Sequence, residues 1–203
     1  MPDEAQGVFS DALPTAIAFA TLLATDGIVR GLIGPREVPR LWDRHILNCA
    51  AVTEAVPEGA SVADIGSGAG LPGLVMAIRR PDLTVTLIEP LLRRTTFLEE
   101  SVVALGLTNV AVRRARAEEV HGSAEYDVVT SRAVAPLDRL SRWSLPLVRS
   151  GGLFLAMKGS SAEQEIATAR KAIGLARGHI EGIVEVGSAY ADPVVRLVKI
   201  KKK

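Results

Sequence analysis

The sequence predicts an α/β fold: a mostly parallel seven-stranded sheet with an antiparallel last strand, preceded by N-terminal helices. Three observations carry this. From Ser61 onward, β-rich apolar runs alternate with helical patterns, as parallel strands joined by helical crossovers do. A glycine-rich loop follows the first of those runs and opens a helix, the strand–loop–helix unit of a ligand-binding shelf. The last two runs, residues 180–186 and 194–200, are joined only by a loop through Tyr190 and Pro193. A parallel crossover needs a dozen or more residues, so this pair forms an antiparallel hairpin.

In chain order, residues 1–57 read as a helical extension packed on a core of residues 58–203. Leu13, Ile17, Ala20 and Leu23 recur at helical spacing and stop near Asp26-Gly27. A second helix is expected over residues 37–55, with Leu41, Arg44 or His45, Asn48 and Val52 along one side. His45 is read either as a locally bonded helix histidine or as a site residue, and Trp42 as packing. Residues 84–89 form the second strand and end in Glu89. The following helix should turn Leu91, Leu98, Val102 and Leu105 inward and close at Gly106. Residues 109–113, 126–131 and 151–158 supply strands three to five, and Arg132 directly follows the fourth.

Composition narrows the setting. A chain of 203 residues suits one globular unit with a full core. No stretch reads as long enough to span a bilayer, and Met1-Pro2-Asp3-Glu4 opens no signal peptide. A single cysteine, Cys49, excludes an internal disulfide and is compatible with a reducing cytoplasm; it is expected mid-helix, away from the loop. Net charge is only +1, but Arg93, Arg94, Arg113, Arg114 and Arg116 cluster in sequence, and the chain ends Lys199-Ile200-Lys201-Lys202-Lys203. Such clusters are either solvated surface or a track for phosphates.

The chemistry centres on Asp64-Ile65-Gly66-Ser67-Gly68-Ala69-Gly70-Leu71-Pro72-Gly73. Gly68 to Gly73 fits the dinucleotide spacing G-x-G-x-x-G. The order acid-x-Gly-x-Gly-x-Gly, starting at Asp64, resembles instead motif I of S-adenosylmethionine (SAM)-dependent methyltransferases. SAM has no pyrophosphate, and an acid at the strand end favours its cationic groups. Asp64, Gly66, Gly68 and Gly70 are therefore candidate cofactor residues. Glu89 lies about twenty residues past the glycines, where an acid accepts bonds from ribose hydroxyls in both cofactor classes. Arg116, Ala117 and Glu118 follow strand three, where an adenine pocket would lie. The antiparallel closing strand is the sheet plan of class I, Rossmann-like methyltransferases and favours SAM.

Trp42-Asp43-Arg44-His45-Ile46-Leu47-Asn48, the glycine loop, Ser131-Arg132-Ala133-Val134-Ala135, Met157-Lys158-Gly159 and Arg196-Leu197-Val198-Lys199-Ile200 occur in this order. Together the chain resembles the bacterial small-subunit ribosomal RNA guanine-N7 methyltransferases, the RsmG or glucose-inhibited division protein B family. The resemblance runs from about Leu41 to the end. Two departures stand out: Asn48 replaces a frequent acid, and Gly31-Leu32-Ile33-Gly34 replaces a more polar stretch. The resemblance implies methyl transfer from SAM to N7 of a guanine in the 530 loop of 16S rRNA, within the 30S subunit or an assembly intermediate. It implies Gly66, Leu71, Ala117, Glu118 and Arg132 around SAM, and Arg116, Arg132, Lys158 and Arg196 near the RNA or reacting base. No metal and no membrane enter this picture. Guanine N7 carries a free lone pair and needs no general base, which agrees with a chain offering none beyond His45. Two other readings are a class I methyltransferase for another RNA or a small molecule, and a non-enzymatic dinucleotide- or RNA-binding protein of Rossmann type.

Overall fold

The computed structural model describes residues 1–132 and 135–203, so Ala133 and Val134 of the Ser-Arg-Ala-Val-Ala motif lie outside the described residues. The strands are β1 (Ser61–Ile65), β2 (Thr84–Ile88), β3 (Val110–Arg113), β4 (Tyr126–Arg132), β5 (Val148–Lys158), β6 (Gly178–Val186) and β7 (Val195–Lys202). They form one sheet in the order β3-β2-β1-β4-β5-β7-β6. The pairs among β1 to β5 are parallel, and β7 runs antiparallel to both β5 and β6, as the short last connection required.

The central strands are apolar because both faces are covered. Val62, Val128, Leu155 and Leu197 face one core, while Ala63, Val129, Phe154 and Val198 face the other. The first core packs against α1 (Glu4–Phe9), α2 (Leu13–Ala24), α3 (Asp26–Val29), α4 (Leu47–Ala51), α5 (Gly73–Arg79) and α6 (Leu92–Ala104). The second is covered by α7 (Leu137–Ser144) and α8 (Ala162–Leu175). Helix α5 carries five consecutive buried apolar residues, Leu74 to Ile78, because it is held between the sheet and the N-terminal helices. Ala5, Phe9, Phe19 and Leu23 share that core with Val62 and Leu74. At the far edge of this layer Arg79 donates to Ala50 O and Tyr190 Oη, and Glu54 accepts from Gly187 N–H and the Tyr190 hydroxyl.

Several expectations need correction. Residues 35–55 are not one helix: a 3-10 stretch (Pro35–Arg40), a π-helical turn (Leu41–Ile46), α4 and a second 3-10 stretch (Val52–Ala55) follow one another. Pro39 inside the first stretch has no N–H to donate, which breaks α-helical bonding there. Ile17 points outward, 41% exposed, and Phe19 takes the inward position. Leu91 is 51% exposed rather than inward, because its N–H donates to Glu89 Oε1 and holds it in extended backbone ahead of α6. Residues 4–29 do reach the length and apolarity of a membrane span, with mean hydropathy 1.6. In the fold this stretch is broken into α1, α2 and α3 and sends Phe9, Leu13, Phe19 and Leu23 into the first core, while Ile17 and Val29 stay exposed.

Candidate functional site

The strand order reverses at β1, with β2 and β3 to one side and β4 and β5 to the other. Such a reversal opens a crevice at the carboxyl ends of the strands. The loop after β1 enters it with Gly66, Gly68 and Gly70 at φ +69°, +57° and +88°. Only glycine adopts this backbone without strain. The fourth glycine, Gly73, is needed for a different reason: a Cβ there would run into Leu87 Cδ2 and stand 2.8 Å from Asp64 Oδ2.

Two acids brace this loop from opposite ends. Asp64 is fully buried, and its Oδ2 accepts the Gly73 N–H at 3.0 Å. Burial pushes its carboxyl up to about 7, and among the described residues Oδ1 has no partner. Glu89, 1% exposed, accepts the Gly68 N–H at 3.1 Å, the Leu91 N–H at 3.1 Å and Arg94 Nη1 at 3.4 Å. Most of the remaining loop amides are also spent internally. Gly66 and Ser67 donate to Ile88 O, and Gly70 and Leu71 to Ser67 O. A pyrophosphate at the loop would find these donors taken and the Glu89 carboxylate beside it. The loop therefore fits a cofactor without phosphate better than a dinucleotide.

A cavity of about 560 Å³ opens above the loop, within the range of small-ligand sites. Of the sequence-predicted cofactor residues, Gly66, Glu89, Ala117, Glu118 and Arg132 line it, and so does Arg116. Asp64, Gly68, Gly70 and Leu71 are not on its wall. They shape the loop from behind, with Gly70 against Leu74 and Leu71 half-buried against the first core. Leu91, Arg94 and Trp143 line the cavity without having been singled out for it. Leu91 and Arg94 could have been found from their closeness to Glu89. Trp143 is brought in from α7 by the fold, with no local signal.

A second cavity of about 490 Å³ adjoins at the ends of β5 and β7, with Arg44, Asn48, Lys158 and Arg196 on its wall. Arg132 lines both cavities. Its Nη2 donates to His45 Nδ1 at 2.7 Å and to Arg44 O at 3.3 Å, and its Nη1 to Cys49 Sγ at 3.3 Å. Cys49 lies mid-helix in α4, as expected, and its thiol lies against the arginine that joins the two cavities. Burial pushes its thiol up. His45 is buried and lines neither cavity; burial, then the Arg132 charge, lowers its pKa.

The basic positions divide in two. Lys158 is 8% exposed, with Nζ 2.8 Å from both Glu165 Oε2 and Ala135 O. Its charge is compensated inside the protein. Arg196 pairs with Glu163 and lies 3.8 Å from Glu185. Arg93, Arg114 and Arg116 are exposed at the carboxyl-end rim, and among the described residues no ion pair holds them.

The sheet order, the antiparallel β7 and the glycine loop braced by two acids define a class I methyltransferase fold. A solved SAM-dependent methyltransferase from Aquifex aeolicus shares that fold, with TM-score 0.57 at 20% identity over 83% of this chain and 98% of that one. The chain belongs to the rRNA small subunit methyltransferase G family, which matches residues 12–190. Ribosomal RNA small subunit methyltransferase G of Thermobifida fusca is 56% identical over 198 residues, 98% of this chain and 84% of the relative. The protein of the same description from Nocardioides sp. is 65% identical over 170 residues, 83% and 68% of the two chains.

Proposed function

We propose that this protein uses SAM to methylate N7 of a guanine in the 530 loop of 16S rRNA, in the cytoplasm, on the 30S subunit or an assembly intermediate. The observation that carries this is the composition of the second cavity. Arg44, Arg132, Lys158 and Arg196 stand on its wall, and among the described residues no carboxylate or imidazole does. Such a cavity suits a nucleophile that loses no proton. Guanine N7 is one, and its neighbour O6 accepts from cations; adenine would turn its N6 donors toward them. Gly66, Glu89, Leu91, Ala117 and Glu118 would hold the cofactor, with Glu89 toward the ribose hydroxyls and Leu91 offering apolar surface to the adenine. SAM, when bound, supplies an electrophilic methyl on a sulfonium. The chain's own contribution is orientation and electrostatics. Arg132 cannot act as a base, since it stays protonated. A cation beside a nitrogen that becomes cationic is unfavourable, so Arg132 serves O6, a flanking phosphate or the cofactor carboxylate. The exposed rim arginines, Arg93, Arg114 and Arg116, would follow the RNA backbone.

Mass spectrometry of rRNA nucleosides from a deletion strain tests the reading. One 7-methylguanosine of 16S rRNA should vanish and return with the wild-type gene but not with an Arg132→Ala copy. An unchanged nucleoside profile in the deletion strain would refute it.

A further inference from the structure

His45 is tied at both ends. Nδ1 is 2.7 Å from Arg132 Nη2, and Nε2 is 2.8 Å from Glu37 Oε2. A guanidinium only donates, so Nδ1 must accept. The imidazole proton is therefore on Nε2 and is donated to Glu37. The other two contacts of the guanidinium, to Arg44 O and Cys49 Sγ, are longer at 3.3 Å. The imidazole is the short tether among the three. A pKa lowered by burial keeps the ring neutral and Nδ1 able to accept. The segment that presents these groups, Leu41–Ile46, is a π-helical turn, and such turns recur at functional sites.

From this geometry we infer that His45, held by Glu37, is a positioning residue that fixes the guanidinium of Arg132 between the cofactor cavity and the acceptor cavity. The inference rests on the reading of Arg132 given above. It gives the N-terminal segment a part in the reaction: the core strand supplies the arginine, and the extension sets its orientation. The fixed tautomer is the specific element. An unconstrained or Nδ1-protonated imidazole would present a donor to a donor.

Two substitutions separate positioning from packing. In His45→Asn the amide oxygen can stand where Nδ1 stood, so an acceptor for Arg132 is kept and the Glu37 contact is lost. In His45→Gln the terminal group reaches toward the Nε2 position, so the Glu37 contact is kept and the acceptor for Arg132 is lost. Single-turnover methylation of 30S subunits at saturating SAM should stay within about three-fold for His45→Asn and fall roughly ten-fold or more for His45→Gln. In an Arg132→Ala background, His45→Gln should cost nothing further, because the two act as a unit. A readout independent of activity is the ¹⁵N spectrum of the imidazoles, of which the chain has 3. The His45 ring should show the Nε2-protonated tautomer in the free protein and lose that fixation in Arg132→Ala. A His45→Gln enzyme at wild-type rate, an additive double variant or an Nδ1-protonated ring would overturn the inference. Wild-type turnover by Arg132→Ala would remove the reading of Arg132 and this inference with it. An impaired Arg132→Ala beside a normal His45→Gln would remove this inference alone.

Discussion

Glu89 stands at the junction of loop architecture and cofactor binding, and its replacement should show both. The carboxylate is 1% exposed and accepts two backbone N–H groups, from Gly68 and Leu91. Glu89→Ala takes the acceptor from two part-buried donors, at up to about 1–3 kcal/mol each. A loss of about 2–6 kcal/mol in a chain of this size lowers Tm by roughly 5–20 °C, at about 2–4 °C per kcal/mol. Glu89→Gln keeps the volume and one acceptor but turns an amide donor toward an N–H, so about half that loss is expected. Separately, the ribose hydroxyls lose a charged acceptor worth about 1.5–3 kcal/mol, or roughly ten- to hundred-fold in SAM affinity. Differential scanning calorimetry reads the first effect. Isothermal titration with SAM, at a temperature where the variant is still folded, reads the second. A Glu89→Ala protein that melts lower yet binds SAM normally would leave the brace and refute the ribose contact. One that melts and binds as wild type would refute both.

Other consequences can be checked as directly. Gly73→Ala pushes α5 off Leu87 and Asp64 and should destabilise by about 1–3 kcal/mol, whereas Gly34→Ala, with open space around it, should not; urea titration of both distinguishes them. Asp64 has a carboxyl raised from 3.8 to about 7 by burial. Between those values the unfolded state gives up its proton first, so stability from this group falls as pH rises, by about 1.4 kcal/mol per pH unit. Asp64→Asn should remove that slope, gaining on wild type by about 2–3 kcal/mol between pH 5 and 7. His45 titrates with the opposite sign in this window but is common to both proteins; a difference that stays flat with pH would place the titration elsewhere. Arg93→Gln and Arg116→Gln should each lower the log–log salt slope of RNA binding by roughly one unit. Lys158→Met should leave that slope unchanged, because its ammonium is already held by Glu165. A drop for Lys158→Met would put that ammonium on a phosphate.

What could be read from the sequence was local. The strand, loop and helix through Gly73 are one continuous segment whose residue types each have a short-range reason. The antiparallel ending followed from the length of one connection. Glu89 was found by spacing alone. What could not be read was decided across the chain. The contacts of Arg132 with Arg44, His45 and Cys49 join residues 88, 87 and 83 positions apart. The resemblance implied Lys158 near the RNA or the reacting base; its partner Glu165, which only the docking of α8 brings to it, was not legible. Asp64 had the residue type of a ligand, but burial turns it into a brace. The break at Pro39 was visible in the letters but hidden by the apolar spacing around it.

The contacts of Glu54 and Arg79 with Gly187 and Tyr190 bear on how the protein is made. They link positions 111 to 136 residues apart. A growing chain therefore presents residues 4–29 long before the sheet that receives them exists. During that interval the stretch has the apolarity of a membrane span, and its Phe19 and Leu23 have no surface to pack on. Contacts of such separation raise the relative contact order, which slows folding. The connection between β6 and β7, made last, then ties onto this layer through Glu54 and Arg79.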